Sequence, residues 1–321
     1  MRSGQYQENT SEIMTRGSLI VALCPVVALA ARVRPSYTRA SLLRKGIAAI
    51  TVAVIPGDRA AADESDSSDM LMARFADPSP KQLSASFTDA LSSSFNRVDN
   101  LIFPAWMEGN WVLTSRPLAN SAPLGRRYLP ADLSRMRLGD LSNISASPLT
   151  YTVRFFKRPS DGAVVSDRAS NLQSVQDAAA GYARVESVEF DGAGKLSVRY
   201  SPFGRNGTFP GPSRSEIYIN WRRQSKPSSS GAFVFSEATR TVYLAPAQQR
   251  ELSTISDAET LCRFERLDAD TIAGRQRVLR YLTPNPNSAE GVLWGETNGR
   301  AVATLEYEFL LRRVPGGPSA L

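Results

Sequence analysis

The chain has 321 residues and a formal net charge of +7, and it contains no histidine. The length allows one large all-β domain with appended segments. The lack of histidine excludes Ser-His-Asp and Cys-His nucleophiles and histidine-ligated zinc or haem. Residues 1–62 hold eight basic and three acidic residues, so the rest of the chain carries a net charge of only +2. We therefore expect no nucleic-acid partner.

Residues 1–62 have the composition of a targeting presequence with several parts. The apolar run Leu19–Ala31 has the form of a signal peptide, and the basic, acid-free stretch 32–45 resembles a plastid transit peptide. A second apolar run, Gly46–Pro56, precedes Ala60-Ala61-Ala62, which has the A-x-A form of a cleavage site. This order resembles presequences of algae with complex plastids and predicts delivery to the thylakoid lumen. The alternative is one signal peptide followed by a low-complexity tail, which predicts secretion.

Cleavage after Ala62 starts the mature chain near Asp63. Both apolar runs lie before that position and are short for a membrane span, so we expect no transmembrane helix in the mature chain. Residues 63–100 are rich in Ser and Asp and are interpreted as a flexible lead-in with a short helix around 80–95. The only cysteine left is Cys262, so an internal disulfide is excluded.

Residues 101–315 are predicted to form the folded domain, and residues 316–321 a disordered tail. Within the domain, apolar and polar residues alternate with the period of half-buried strands, as in residues 149–158 and 303–313. We count about ten strands, joined mostly by short turns, and one helix at Asn171–Gly181. The pattern predicts an all-β fold, an antiparallel, closed or partly closed barrel, because closure leaves no sheet edge unpaired.

Turns and loops divide this domain. Residues 188–201 are interpreted as a hairpin with its loop at Asp191–Gly194, and residues 231–246 as a second hairpin that turns near Glu237. The segments 117–148 and 201–215 show no strand period and are predicted to be long loops. Loops of this length are either functional or tolerated insertions.

The start of the first strand resembles that of lipocalin-type barrels. Gly109-Asn110-Trp111 matches the G-x-W motif of those proteins, in which the tryptophan closes the barrel floor and an arginine of the last strand lies across the indole. Here Arg313 is in phase with Ala303, Leu305, Tyr307, Phe309 and Leu311 of the last strand. We therefore predict a stacked floor pair of Trp111 and Arg313 in a lipocalin-like barrel. The alternative is that Trp111 is an ordinary core residue.

A wider set of segments resembles a family of cyanobacterial and plastid proteins known as a domain of unknown function, some of them thylakoid-associated. The segments are LIFPAWMEGNWVLTS, VSDRASN, FVFSE, AETLCRFERLDADTIAGRQRVLRYLTPNP and YEFLLRR, and the resemblance covers about residues 100–314. It implies no catalytic residues. The chain departs from the family after Pro117, where it reads APLGRRYLPADLSRMRLGD.

These observations leave two non-enzymatic hypotheses. The first is a thylakoid-lumen protein that holds a small apolar ligand, such as a lipid, pigment or quinone, inside the barrel. The residues predicted to line the ligand are Trp111, Leu113, Tyr151, Val153, Phe155, Trp221 and Tyr307, with Trp221 on the same face as Ile217 and Ile219. The alternative for these residues is that they meet in a packed core. The second hypothesis is an accessory or assembly factor of a photosynthetic thylakoid complex, which makes contact through its loops with Tyr128, Phe203 and Phe209.

An enzyme requires an acid and a base, for which the chain offers the carboxylate pairs Glu306/Glu308 and Asp268/Asp270. Both pairs are interpreted as solvated polar faces, and no glycine-rich loop has the order that phosphate binding requires. We expect neither an enzyme nor a metal site or a bound cofactor.

Overall fold

The computed structural model describes residues 71–75, 100–143, 147–192, 194–202, 212–226, 231–244, 254–284 and 289–315. The presequence at 1–62, the helix predicted around 80–95 and the tail at 316–321 lie outside these residues. Within the described ranges, no helix is both long enough and apolar enough to cross a membrane.

Eleven strands form one antiparallel sheet. They are β1 Gly109–Ser121, β2 Gly139–Asp140, β3 Leu149–Lys157, β4 Val164–Ser166, β5 Val185–Phe190, β6 Lys195–Tyr200, β7 Arg214–Gln224, β8 Phe233–Leu244, β9 Thr254–Arg266, β10 Thr271–Tyr281 and β11 Ala303–Arg313. Among the described residues, helix α1 at Arg168–Ala180 and helix α2 at Ala289–Thr297 accompany the sheet, and residues 71–75 are also helical. Short 3-10 turns lie at Ala105–Met107 and Arg126–Tyr128.

The sheet curls on itself because its first long strand pairs with its last. The spatial order is β4-β3-β1-β11-β10-β9-β8-β7-β6-β5, and β2 pairs with β1. The pairing of β1 with β11 places Trp111 opposite Arg313. Among the described strands, β4 and β5 form the two edges and do not pair with each other. The prediction of an antiparallel all-β fold is confirmed, and its form is an open half-barrel.

Helix α1 spans the gap between the two edges of the sheet. On the β3 side, the Asn171 side chain accepts a hydrogen bond from the Arg154 amide at 2.7 Å and donates one to its carbonyl at 3.1 Å. The Ser174 hydroxyl accepts one from the Thr152 amide at 3.0 Å. On the β5 side, the Asp177 carboxylate accepts the amides of Arg184 at 2.7 Å and Val185 at 2.9 Å. Side chains of one helix thus bind backbone groups on both sides of the gap, where no strand-to-strand hydrogen bonds form.

The ends of α1 follow from its sequence. The Asp167 side chain caps the first turn by accepting the Ser170 amide at 3.2 Å, and Gly181 ends the helix in the left-handed region, at φ 73°. The predicted helix at Asn171–Gly181 therefore exists, and it begins three residues earlier than predicted, at Arg168. Helix α2 was not predicted.

The concave face of the half-barrel carries most of the core. Six phenylalanines lie there in a chain of ring contacts with centroids 4.9 to 6.5 Å apart: Phe103, Phe155, Phe233, Phe235, Phe264 and Phe309. Gly274 makes room for one of them, because a Cβ at this position would lie 2.2 Å from the Phe309 ring and 2.6 Å from the Arg263 carbonyl. The half of the concave face near Trp111 is therefore closely packed.

A second, smaller cluster covers part of the convex face. It contains Ala238, Leu261, Leu279, Tyr281 and Ala301, with Phe75 and Trp221 packed against it. The helical residues 71–75 lie on this face, where Arg74 makes a bidentate ion pair with Glu259. Glu259 is fully buried and also accepts hydrogen bonds from Ser236 at 2.7 Å and Tyr281 at 2.9 Å. Residues 71–75 of the predicted lead-in are thus attached to the sheet.

One of the two hairpin predictions is confirmed, and the other, at β8, is wrong. Residues 188–201 do form the β5–β6 hairpin. Residues 233–244, however, form one continuous strand that pairs with β9 along its whole length, and Glu237 lies at its middle. A charged residue within an apolar run led to the prediction of a turn, whereas the structure buries that charge.

Candidate functional site

At one end of the half-barrel, Arg313 stacks on Trp111. Trp111 is fully buried, and its indole N–H donates to the Met107 carbonyl at 2.8 Å. The Arg313 guanidinium lies 4.2 Å from the indole ring and donates to the Glu108 carbonyl at 2.7 Å. Gly109 has φ 126°, and a Cβ there would lie 2.5 Å from Arg313 Nη1. The glycine of the G-x-W motif therefore leaves the space that the arginine occupies.

Six of the seven predicted ligand-lining residues lie together on the concave face, all at most 5% exposed: Trp111, Leu113, Tyr151, Val153, Phe155 and Tyr307. Trp221 does not join them. The β7–β8 register shifts between Ile219 and Trp221, so that Ile219 pairs with Thr239 but Trp221 pairs with Ala238. The prediction that Trp221 shares a face with Ile217 and Ile219 is wrong, because this bulge turns Trp221 toward the convex cluster.

Near the middle of the concave face, Glu237 forms a buried charge cluster with two arginines. Glu237 accepts hydrogen bonds from Arg168 at 3.1 and 2.8 Å and from Arg222 at 2.7 Å. All three side chains are at most 3% exposed. Burial lowers the pKa of Arg222 despite the attraction of Glu237. Arg168 is the first residue of α1, so the cluster fixes this helix to β8 from inside the sheet.

The predicted loop at 117–148 lies over the opposite end of the half-barrel. Its residues Leu129, Leu133 and Met136 are buried in the concave core, while Asp132 pairs with Arg280 of β10 at 3.1 Å. The apolar side chains of this segment therefore face inward, where they are not available as a contact surface. Tyr128 is half-buried and donates to Glu296 at 2.9 Å, and Phe203 and Phe209 lie outside the described residues.

Beneath this segment is a set of inward-facing polar residues that we call the mouth. It consists of Ser215, Thr241, Tyr243, Ser256 and Arg280, all less than 9% exposed. Ser215 hydrogen-bonds Tyr200 at 2.9 Å, and Thr241 pairs with Ser256 across β8 and β9. Burial raises the pKa of Tyr243 well above its usual value, so its hydroxyl remains a proton donor at neutral pH.

Several buried polar atoms on the concave face have no hydrogen-bond partner among the described residues. They are Ser115 Oγ, Thr241 Oγ1, the Tyr243 hydroxyl, Ser256 Oγ, both amide atoms of Gln276 and Arg280 Nε. Native proteins rarely leave such groups unsatisfied, since each costs about 1 to 3 kcal/mol of desolvation. Four of these six residues belong to the mouth, whereas Ser115 lies opposite Phe309 and Gln276 opposite Cys262, at the border of the aromatic packing.

A match covering residues 98–315 assigns the folded part of the chain to the family described as Domain of unknown function (DUF6816). The chain belongs to the DUF6816 family. No curated protein and no solved structure gives a significant match to its sequence. The resemblance noted in the sequence to a domain of unknown function is thereby confirmed over essentially the same residues.

Three of the four carboxylates considered for catalysis have structural partners in this DUF6816 domain, and the fourth, Glu308, is exposed. Glu306 lies on the convex face and pairs with Arg277 at 3.0 Å, whereas Asp270 pairs with Arg313 at 3.2 Å. Asp268 accepts the Asp270 amide at 2.8 Å within the β9–β10 turn. The part of the chain that the structure describes contains no group of three or more aspartate, glutamate or cysteine side chains that could hold a metal ion.

The convex face of the DUF6816 domain bears a trough of about 1290 Å³ along β1, β11, β10 and β9. Six arginines and three glutamates contribute to its lining: Arg116, Arg263, Arg275, Arg277, Arg312, Arg313, Glu265, Glu306 and Glu308. Met72 and Phe75 lie at one end, and Val314 and Pro315 at another. The trough is an open surface of net positive charge.

Sequence reasoning missed the polar groups of the mouth and the Glu237 cluster. One signal was present in β10, where Gln276 and Arg280 stand in phase with Ile272 and Val278. A polar residue in phase with core residues indicates a buried polar group. No such signal pointed to Arg168, since its partner Glu237 is 69 residues away in sequence.

Proposed function

We propose that this protein is a non-enzymatic binding protein that holds one small, largely apolar molecule, of the class of lipids, pigments or quinones, on the concave face of its half-barrel. The observation that carries the proposal is the set of buried polar atoms without partners on that face. A ligand with a polar end and an apolar body satisfies those atoms and covers the apolar side chains beside them.

The packing limits where such a molecule fits. Around Trp111 and the phenylalanines the concave face is filled by side chains, so the ligand lies in the half covered by residues 122–138. There the wall alternates between apolar residues, such as Tyr307 and Val278, and the unsatisfied Gln276. Of the residues predicted to line the ligand, Tyr151 and Tyr307 fit this location, while Trp111 and Phe155 serve the packed end.

The compartment proposed for this activity is the thylakoid lumen. The support is the order of the parts within residues 1–62, with Ala60-Ala61-Ala62 at the end of the second apolar run. We expect N-terminal sequencing of the native protein to start within a few residues of Asp63. A native chain that begins at Met1 or Ser11 contradicts this proposal.

The binding proposal is tested by retention of a ligand. Purified protein is mixed with thylakoid lipid and pigment extract, re-isolated by gel filtration and analysed by mass spectrometry, and we expect one compound to be retained stoichiometrically. In Gln276→Leu the retained amount should fall, while the stability of the ligand-free protein should be unchanged or higher, because an unsatisfied buried amide is removed. Glu186→Leu, a polar-to-apolar change at an exposed position of β5, is the control.

Two results contradict the proposal. One is that the wild-type protein retains nothing from the extract. The other is that Gln276→Leu keeps the wild-type level of retention but unfolds more easily, which assigns the amide a purely structural role.

The convex trough favours a second candidate function, an accessory factor of a photosynthetic thylakoid complex. Its six arginines against three glutamates fit an acidic surface on a partner protein. This candidate differs from the loop-based hypothesis, since the apolar residues at 129–136 are buried. This function is favoured over ligand binding if a membrane complex co-purifies with the protein from native thylakoids and the protein retains no small molecule. Arg275→Glu should then weaken the co-purification.

A further inference from the structure

Arg184 presents an unsatisfied guanidinium edge near the mouth. Its Nε and Nη2 atoms are buried and have no hydrogen-bond partner within the described ranges. The side chain is fixed in place, because its guanidinium carbon lies 4.8 Å from the Tyr200 ring centroid and its backbone amide is held by Asp177. The Nε–Nη2 edge of arginine matches the two oxygens of a carboxylate or phosphate.

Further unsatisfied donors lie around the same point. Tyr243 lies opposite Ser215 across β7 and β8. The Ser215 hydroxyl hydrogen-bonds the hydroxyl of Tyr200, and the Arg184 guanidinium lies over the ring of the same tyrosine. Arg280 uses Nη2 to bind Asp132 at 3.1 Å, while its Nε has no partner in the described part of the chain. The side chains of Arg184 and Arg280 contain only donors, so the missing partner is an acceptor.

The charges around the mouth indicate how much negative charge a ligand's acceptor group carries. Arg280 is offset by two carboxylates, since Asp132 and Glu290 both raise its pKa against the effect of burial. Arg184 forms no ion pair among the described residues. The guanidinium of Arg184 therefore offers one positive charge that is not paired within the described residues. A carboxylate neutralises this charge, whereas a phosphate monoester, with about −1.5 to −2 charges at neutral pH, exceeds it.

We infer that the molecule bound on the concave face is an amphipathic carboxylic acid, whose carboxylate is received by the Nε–Nη2 edge of Arg184 with Arg280 Nε and the Tyr243 hydroxyl as further donors. This inference rests on the proposed binding function and names the chemical class of its ligand. The hydroxyls of Thr241 and Ser256 lie beside the same head group, and the apolar chain extends toward Gln276 and Tyr307.

The test compares three probes on the purified protein. They are hexadecanoic acid, hexadecan-1-ol with the same chain but no charge, and acetate with the charge but no chain. We expect the acid to bind about ten to a hundred times more tightly than the alcohol, as is typical of charge-assisted bidentate hydrogen bonds. Acetate should not bind at millimolar concentration, because it buries almost no apolar surface.

Two variants identify the groups that receive the carboxylate. Arg184→Met keeps the aliphatic stem and should remove the preference for the acid over the alcohol. Tyr243→Phe should reduce that preference severalfold without destabilising the ligand-free protein, because it deletes only a hydroxyl that lacks a partner. Arg199→Met, at an exposed position of β6, is the matched control and should behave as wild type.

The outcomes separate this inference from the proposed function. Equal binding of acid and alcohol, or an acid preference that survives in Arg184→Met, overturns the carboxylate assignment and leaves the binding function standing. Acetate binding as tightly as the long-chain acid also overturns it, in favour of a simple anion site. If neither long-chain probe binds and the thylakoid extract leaves nothing on the protein, both proposals are wrong.

Discussion

We expect Glu237→Gln to lower the free energy of unfolding by about 3 to 5 kcal/mol, the cost of removing one partner from a buried ion pair. The change keeps the shape of the side chain but removes the negative charge that the buried guanidinium groups of Arg168 and Arg222 both contact. Both arginines are at most 3% exposed, so water cannot replace the lost carboxylate. Urea denaturation followed by circular dichroism measures the loss.

The matched control is Glu265→Gln, which removes a carboxylate from the exposed pair with Arg263. Exposed pairs of this kind contribute less than about 1 kcal/mol. Similar losses for the two variants contradict the assignment of Glu237 as the charge that fixes α1 to the sheet. A second check is Arg168→Met in the Glu237→Gln background, which should recover part of the loss because it removes one of the two buried positive charges that faced the Glu237 carboxylate.

The second large effect is expected for Trp111→Ala, which should cost about 3 to 5 kcal/mol in the same assay. The substitution leaves a cavity at the closed end of the half-barrel, where Trp111 is fully buried and its N–H is bonded to Met107. Trp294→Ala on α2 removes a partly exposed indole and should cost clearly less. A loss below about 1 kcal/mol for Trp111→Ala contradicts its role as the closing residue.

Arg313→Ala tests whether the stacked pair acts as a unit. Its guanidinium contacts the Trp111 ring and also donates to the Glu108 carbonyl. Because the two residues share these contacts, the losses of Trp111→Ala and Arg313→Ala should add to more than the loss of the double variant. Strict additivity shows that the cation–π contact contributes nothing measurable.

Alternation of apolar and polar residues predicted the fold class and most strand faces. In β3 and β11 the register is regular, so the residues in phase with Val153 and Phe309 do share the concave face. In β7 a single bulge reverses the face of every residue after Ile219. The amino-acid sequence of this strand gives no signal of the bulge. Trp221 was misplaced for that reason alone.

The buried charge pairs of the structure could not be predicted from the sequence, for a different physical reason. The partners of Glu237, Arg280 and Glu259 come from distant parts of the chain, and only the curvature of the sheet brings them together. The alternation of apolar and polar residues predicts that a charged residue within a strand is exposed or lies in a turn. This prediction fails where the charge is paired inside the core. Gln276 shows the reverse case. Its phase with Ile272 indicates burial, and both of its amide atoms are buried without a hydrogen-bond partner among the described residues.

The side chains of α1 that hydrogen-bond β3 also affect self-association of the protein. A free strand edge exposes amides and carbonyls that can recruit the strand of another molecule, which begins edge-to-edge aggregation. Asn171 and Ser174 occupy the edge amides of Arg154 and Thr152. Along the part of β3 that β4 does not cover, these backbone groups are therefore not open to a strand from another copy, because two small polar side chains of a helix already bind them.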